Sequence, residues 1–545
     1  MPADRLSIAV TLTVGQTDHA VPAGNVQSFE LDLCGYGFSG YVEFVLADDQ
    51  ALRGPRTDSL LADFQKQDLS SISVSIKSVL SGESDSPSFT ALVVKGIVTE
   101  RSVVETPTLT GGKTSAVVAR KYKVRFGDAA RVLWGQHRPC ALYTNKAFSA
   151  VLDDHKGDKI VLAYDWEDEL SKERPQIFVG LDRDAGPSFY DFVLSFLDSR
   201  GGVLAYDYAT AQYKLSATKD ATATPLSLKP TDVASVEVAF PEAVRHDITV
   251  LNSYATAATT EAVTQENAAQ GIREDVLLRS PLADVAEAQV KLAKARLVSR
   301  QKELRVEFSR FPTSALLPGM LVKLPAKDAF AMAGISAGET FRVIRIEASG
   351  TTLRKGGDDE SSAPNAGYDL RLRAVLEPKD EPRVDLPAHA RTFPPRQLEG
   401  TIVSEVGEDG EETWKAYTDE KTSIDRYQVK VPLFDNQLVF APFEPGLLPG
   451  QFYFPYAKAS RVLLSMEMEA THILRSLEWR AGARMPADGE GVQLLMGKTT
   501  KSGTAMTHDY ADGKPAFQLQ RHNDKDEATI RLEEGLLRIQ VKEGS

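Results

Sequence analysis

The tightest limit on how this chain can fold lies in its last 55 residues. GVQLLMG (491–497), AFQLQRH (516–522), EATIRLEE (527–534) and LLRIQVKEG (536–544) are short alternating segments separated by tight polar turns. A period of two marks strands with one apolar face. Each strand is too short and too sparse in large apolar side chains to build a core within one chain. Identical copies wound about a shared axis would bury that face and close every edge. In RLEEGLLRIQVKEG (531–544) Leu and Ile would turn inward while Glu, Arg and Lys turn outward. The segment predicts a homotrimer.

The same alternation governs most of the chain upstream. It runs through 5–16, 26–48, 70–80, 91–105 and 120–127, broken by Gly, Ser and Pro turns, which predicts a barrel or sandwich over 1–135. Helical spacing enters near residue 140. NKAFSAVLDDHK (145–156) places Ala147, Val151 and Leu152 on one face. SFYDFVLSFLDSRGG (188–202) sets Phe189, Phe192, Val193, Phe196 and Leu197 at helical spacing, with Ser188 as N-cap and Gly201 and Gly202 as the stop. An α+β insert over 136–225 follows from this. Strands return at 233–240, 246–254, 302–309, 319–324, 339–349 and 368–378, with a helix over 282–300, giving a second barrel over 226–380. The polar, Gly-rich stretch 350–367 reads as an exposed loop. A proline-dense linker covers 381–396, too rigid for helix or central strand. Beyond it, 397–487 has the size and strand number of an OB-type barrel, and 488–545 forms the terminal β-prism or β-helix. The fold class is mainly β with an α+β insert.

Composition removes several classes of function. A net charge of −13, with no basic and aromatic patch, argues against nucleic-acid and anionic-lipid binding. Two cysteines, Cys34 and Cys140, cannot make a disulfide framework or a four-thiolate zinc site, and both read as buried free thiols. The opening MPADRLSIAVTLTVG lacks a basic start followed by an apolar run, so synthesis and assembly in the cytoplasm are expected. No phosphate-cradling GxxxxGK[ST] loop and no HExxH motif occurs. The eight histidines, at 19, 137, 155, 246, 389, 472, 508 and 522, lack metal-ligand spacing and read as isolated surface or capping residues. The acidic runs 163–173, 180–187 and 406–412 read as solvated faces or turns, since none has the ligand alternation of a calcium loop. The sequence therefore predicts no catalytic, cofactor or metal residues.

Four segments carry a resemblance. They are RKYKVRFGDAARVLWGQHRPCALYTNKAFSAVLDDH (120–155), ERPQIFVGLDRDAGPSFYDFVLSFLDSRGGVLAYDY (173–208), the helix and hairpin ending in LLPGMLVKL (316–324), and QLEGTIVSEV (397–406) with YTDEKTSIDRYQVKVPLF (417–434). In this order they resemble the VgrG-type spike and hub proteins of contractile injection systems, a group that includes type VI secretion, extracellular injection particles, and phage hub and cell-puncturing spike proteins. The OB-strand glycine of that pattern is missing, with Ile424 and Asp425 near its place. The resemblance implies a trimeric structural protein that adapts a sixfold inner tube to a threefold, membrane-puncturing tip. The implied partners are the inner tube protein, baseplate proteins and a PAAR-like tip protein, with transient contact with a target membrane and export by the machine itself. A flat apolar end near Leu537, Ile539 and Val541 is the expected docking site for the tip protein. A trimeric receptor- or glycan-binding tail protein is the alternative reading.

Overall fold

The computed structural model describes residues 4–49, 57–79, 90–110, 113–184, 186–324, 338–353, 365–408, 413–442, 455–477, 491–499 and 502–544. The chain is mainly β and divides into two compact units. One unit takes Met1–Arg138, Ala147–Lys172 and Leu181–Thr392, and the other takes Pro139–Lys146, Glu173–Gly180 and Phe393–Ser545.

Alternation builds the first unit. The strand Asp4–Val14 buries Leu6, Ile8, Val10, Leu12 and Val14 on one face. Its antiparallel neighbour Ser70–Ser78 answers in register, with Ile76 opposite Ile8, Val74 opposite Val10 and Ile72 opposite Leu12. Each such aliphatic side chain contributes about 1.5–3 kcal/mol on burial. From Ser70–Ser78 the pairing passes to Leu92–Thr110, Lys113–Gly127, Gly37–Asp48, Val26–Cys34, Thr340–Thr352 and Ala366–Pro378, each antiparallel to the last. Ala366–Pro378 then returns to Asp4–Val14, with Ala366 opposite Leu6. These eight strands form a closed ring with no open edge among them. Phe44, Tyr122 and Phe64 fill its core, the first two stacked at 5.3 Å.

Two strands of the ring extend beyond it. Thr340–Thr352 also pairs with Leu321–Lys323. Ala366–Pro378 also pairs with Glu303–Phe308, whose far side carries Val233–Ala239. The segments 1–135 and 226–380 thus share one hydrogen-bonded sheet of thirteen strands, the second segment supplying the two staves that close the first. The expected loop over 350–367 is shorter than the sequence suggests. Gly350 lies opposite Phe29, and Thr351 and Thr352 pair with Asp369 and Tyr368, so the strands run on to Thr352 and resume at Ala366. Ladder hydrogen bonds override the weak strand propensity of Gly350 and Gly367 there. Residues 354–364 lie outside the described residues.

The insert follows its pattern. Helix Phe189–Asp198 begins at Ser188, whose hydroxyl accepts from the Asp191 amide while the Asp191 carboxylate accepts from the Ser188 amide. It buries Phe189, Phe192, Val193, Phe196 and Leu197, and Gly201, at φ +71°, turns the chain out of it. Helix Phe148–His155 buries Val151 and Leu152 and stacks Phe148 on Phe196 at 3.6 Å. Helix Ala283–Leu297 packs Ala293 and Leu297 on a three-stranded sheet with Ile248 and Val250.

The second unit draws on two stretches of the insert. Cys140–Tyr143 and Ile177–Gly180 pair with each other. They place Leu142 and Phe178 in one core with Ile402, Tyr427, Val429, Val439, Val462 and Leu464. Polar hooks fix the position: the Phe178 amide donates to the Met468 carbonyl at 2.7 Å, and the Gln176 amide group donates to the carbonyls of Glu467 and Ala470. Cys140 sits at the first position of its strand and is exposed, which corrects the expectation that both thiols are buried; Cys34 is half-buried. The remaining strands of this part, from Arg396–Val403 to Thr471–Ser476, form an antiparallel six-stranded sheet. The terminal five strands form a sheet of their own.

Candidate functional site: the terminal sheet

Residues 491–542 fold as a meander of Gly491–Thr499, Ser502–Ala511, Lys514–Asn523, Asp526–Glu533 and Leu536–Lys542. Short turns at Asp512–Gly513, Asp524 and Gly535, all with positive φ, join the later strands and fix their register. Because the turns are so short, side chains line up in rows across all five strands. One row reads Val492, His508, Phe517, Leu532 and Leu537. The next reads Leu494, Met506, Leu519, Ile530 and Ile539, and a third reads Met496, Thr504, Arg521, Ala528 and Val541. All three rows share one face.

The opposite face is polar. Gln493, Thr507, Gln518, Arg531 and Arg538 form one of its rows, and Leu495, Ala505, Gln520, Thr529 and Gln540 another. The Gln518 amide donates to Gln520 at 3.1 Å, the Gln520 amide donates to Glu527 at 2.7 Å, and Arg531 pairs with Glu533. Apart from Gln493 Oε1, which is buried with no hydrogen-bond partner, such a face is satisfied in water. The apolar face is not. Ile539 is 69% exposed and Val541 68% exposed, and Val492, Leu532 and Leu537 lie open with them. A single-layer sheet with bare Ile, Leu and Val on one side has no core of its own.

The three residues singled out from the sequence, Leu537, Ile539 and Val541, all fall on this apolar face, in the last strand. The structure joins them to Val492, Leu494, Leu519, Ile530 and Leu532, which sequence reasoning did not name. Alternation within each segment was the available signal, but joining the rows needed the turn registers. Histidines expected to stand alone are in two cases together: His137 and His155 touch ring to ring, 2.9 Å between Nε2 and Nδ1.

A cavity of about 650 Å³ in the first unit is lined by Lys219, Arg342 and Glu377 among others. Glu377 receives Lys219 at 2.7 Å, Arg342 at 3.1 Å and Arg300 at 3.0 Å, so its buried charge is met from within the protein. Among the described residues no group of three or more His, Cys, Asp or Glu is placed to hold a metal ion.

No family model and no curated protein matches this sequence. Solved structures do match it. A chain of the PdpA–VgrG complex in its lidless form superposes with a TM-score of 0.73 at 13% identity, covering 99% of this chain and 99% of that one. A chain of the lidded Francisella PdpA–VgrG complex gives 0.73 at 13% identity, covering 99% of this chain and 80% of that one. The half-lidded Francisella complex gives 0.71 at 13% identity, with 98% and 88% covered. At this identity the likeness is one of fold. Over nearly its whole length, this chain shares the fold of a chain of the PdpA–VgrG complex.

Proposed function

We propose that this chain is a structural spike and hub subunit of a contractile injection system, acts as a homotrimer, and is not an enzyme. The observation that carries the reading is the uncovered apolar face of the terminal sheet. Two further copies of the same face are its occupants. Three identical sheets with their apolar rows inward make a closed prism, and the Gln, Thr and Arg rows remain in water. Odd numbers of identical apolar faces cannot be satisfied in pairs, whereas a threefold axis treats all three alike. In this reading 397–487 is the OB-type neck and the ring in the first unit, with its extended staves, supplies the hub that meets the inner tube and baseplate. The final strand is the edge of the sheet, paired on one side only among the described residues. There Leu537, Ile539 and Val541 finish the prism core and present its end to a PAAR-like tip protein. Synthesis and assembly are cytoplasmic, and the machine carries the spike out toward the target membrane.

Size-exclusion chromatography with light scattering on the full chain tests the assembly. We expect the mass of three chains. Ile539→Asp, at the edge-strand end of the middle row, should shift the population toward single chains or raise dye binding to exposed apolar surface. A wild-type protein that runs as a single chain with residues 491–542 protected from hydrogen exchange overturns the proposal.

A further inference from the structure

The half-buried imidazoles of His137 and His155 lie at a junction of three elements. His137 follows the helical turn Ala130–Trp134, and His155 ends helix Phe148–His155. Both rings pack against Phe189, at 5.5 and 4.8 Å, the first residue of helix Phe189–Asp198. Backbone bonds tie the same three elements: the Phe189 amide donates to the His137 carbonyl at 2.9 Å, and the Trp134 indole donates to the His155 carbonyl at 2.9 Å. Between Nε2 of His137 and Nδ1 of His155, 2.9 Å apart, there is room for one proton. Two protonated rings at that distance would lose the hydrogen bond and repel.

The junction also bears on the strap that leaves the ring. Helix Phe189–Asp198 uses the second oxygen of Asp191 to accept from the Ala390 amide at 3.0 Å, while Asp198 meets Arg391 at 3.1 Å. Displacing the start of that helix displaces the hold on residues 390–391.

We propose that the His137–His155 pair is an acid-sensitive latch, closed while the pair shares one proton and opened when both rings are charged, which loosens helix Phe189–Asp198 and its hold on the 390–391 strap. The surroundings favour the closed form near neutrality. Burial lowers the affinity of both rings for a second proton, and His155 is held down to about 4 by burial first and by the charge of His137 second. Asp154 opposes this, favouring the charged ring. Among the other charged groups of these elements, Arg138 donates to the carbonyls of Gly135 and Gly186, Asp153 meets Lys156 and Tyr164, and Asp191 meets Ser188, while Arg131 sits in the turn before His137. A base whose folded pKa lies below its unfolded value of 6.5 contributes stability that is whole above pH 6.5 and is lost as pH falls toward 4.

The test is hydrogen-exchange mass spectrometry on the full chain at pH 7.5 and pH 4.5, with rates corrected for intrinsic exchange. In the wild type we expect amides of 130–138, 148–156 and 188–198 to exchange about tenfold faster at the lower pH, with the ring strands unchanged. His137→Gln/His155→Asn keeps the donor and acceptor positions but cannot be charged, so its protection should not depend on pH. Histidine C2-proton exchange on the wild type provides the second readout, and should show His155 titrating well below 6. Normal titration of His155 near 6.5, unchanged wild-type protection, or the same acid loss in the double variant overturns the latch.

Discussion

Asp128 shows how much one buried carboxylate can organise. It accepts from the Phe38 amide at 3.1 Å, the Arg131 amide at 2.9 Å and the Tyr213 hydroxyl at 2.5 Å. Burial pushes its carboxyl pKa up, and the bond from Tyr213 opposes that shift. Gly37 stands directly against it, at φ +151°, where an added Cβ would lie 2.5 Å from Asp128 Oδ2. Gly37→Ala therefore meets both backbone strain and a fixed carboxylate. We expect about 2–4 kcal/mol of destabilisation, measured as a fall in the thermal midpoint of the first unit. Tyr213→Phe removes only one donor and should cost about 1–3 kcal/mol by the same measurement. Neither Gly37 nor Asp128 is conspicuous in the sequence, because their separation along the chain hides their contact.

Among the elements, helix Phe189–Asp198 was the most legible. Its Phe spacing, its Ser188 cap and its Gly201 stop are local signals, and the structure has all three. Ser188→Ala should cost about 1 kcal/mol and raise amide exchange through the first turn, 189–192, more than in the last. Less legible were elements whose partners are remote. The strand ends at 350–352 and 366–367 each carry a glycine that masks them, and only pairing makes them strands: 350–352 with Val26–Cys34 and with 368–370, and 366–367 with Leu6 and Arg5. In the terminal sheet the alternation of each strand was visible. Its continuous apolar face emerged from the two-residue turns, which bring Ile530 opposite Ile539 and Leu532 opposite Leu537.

At the scale of the molecule, the second unit is assembled from three separate stretches of chain. Leu142 and Phe178 complete its core, and Arg174 pairs with Glu469 at 2.9 Å while the Thr471 hydroxyl donates to Gln176 at 2.5 Å. A fragment of residues 393–545 alone lacks those strands, exposing apolar side chains and buried polar partners. We expect it to melt at least about 10 °C below the same unit in the full chain, since losing two large core side chains removes about 4–8 kcal/mol. Calorimetry of both proteins would show it, and equal midpoints would contradict the shared core. The sequence by itself determined the mainly β character, the principal helices and the sidedness of the terminal strands, because each rests on periodicity between near neighbours. Only the tertiary structure decided that one ring takes staves from both ends of the first unit, that 140–143 and 177–180 serve the second, and that two histidines meet. Those outcomes depend on pairings between residues far apart in the chain, and a local pattern of side chains carries no record of which distant edge it will meet.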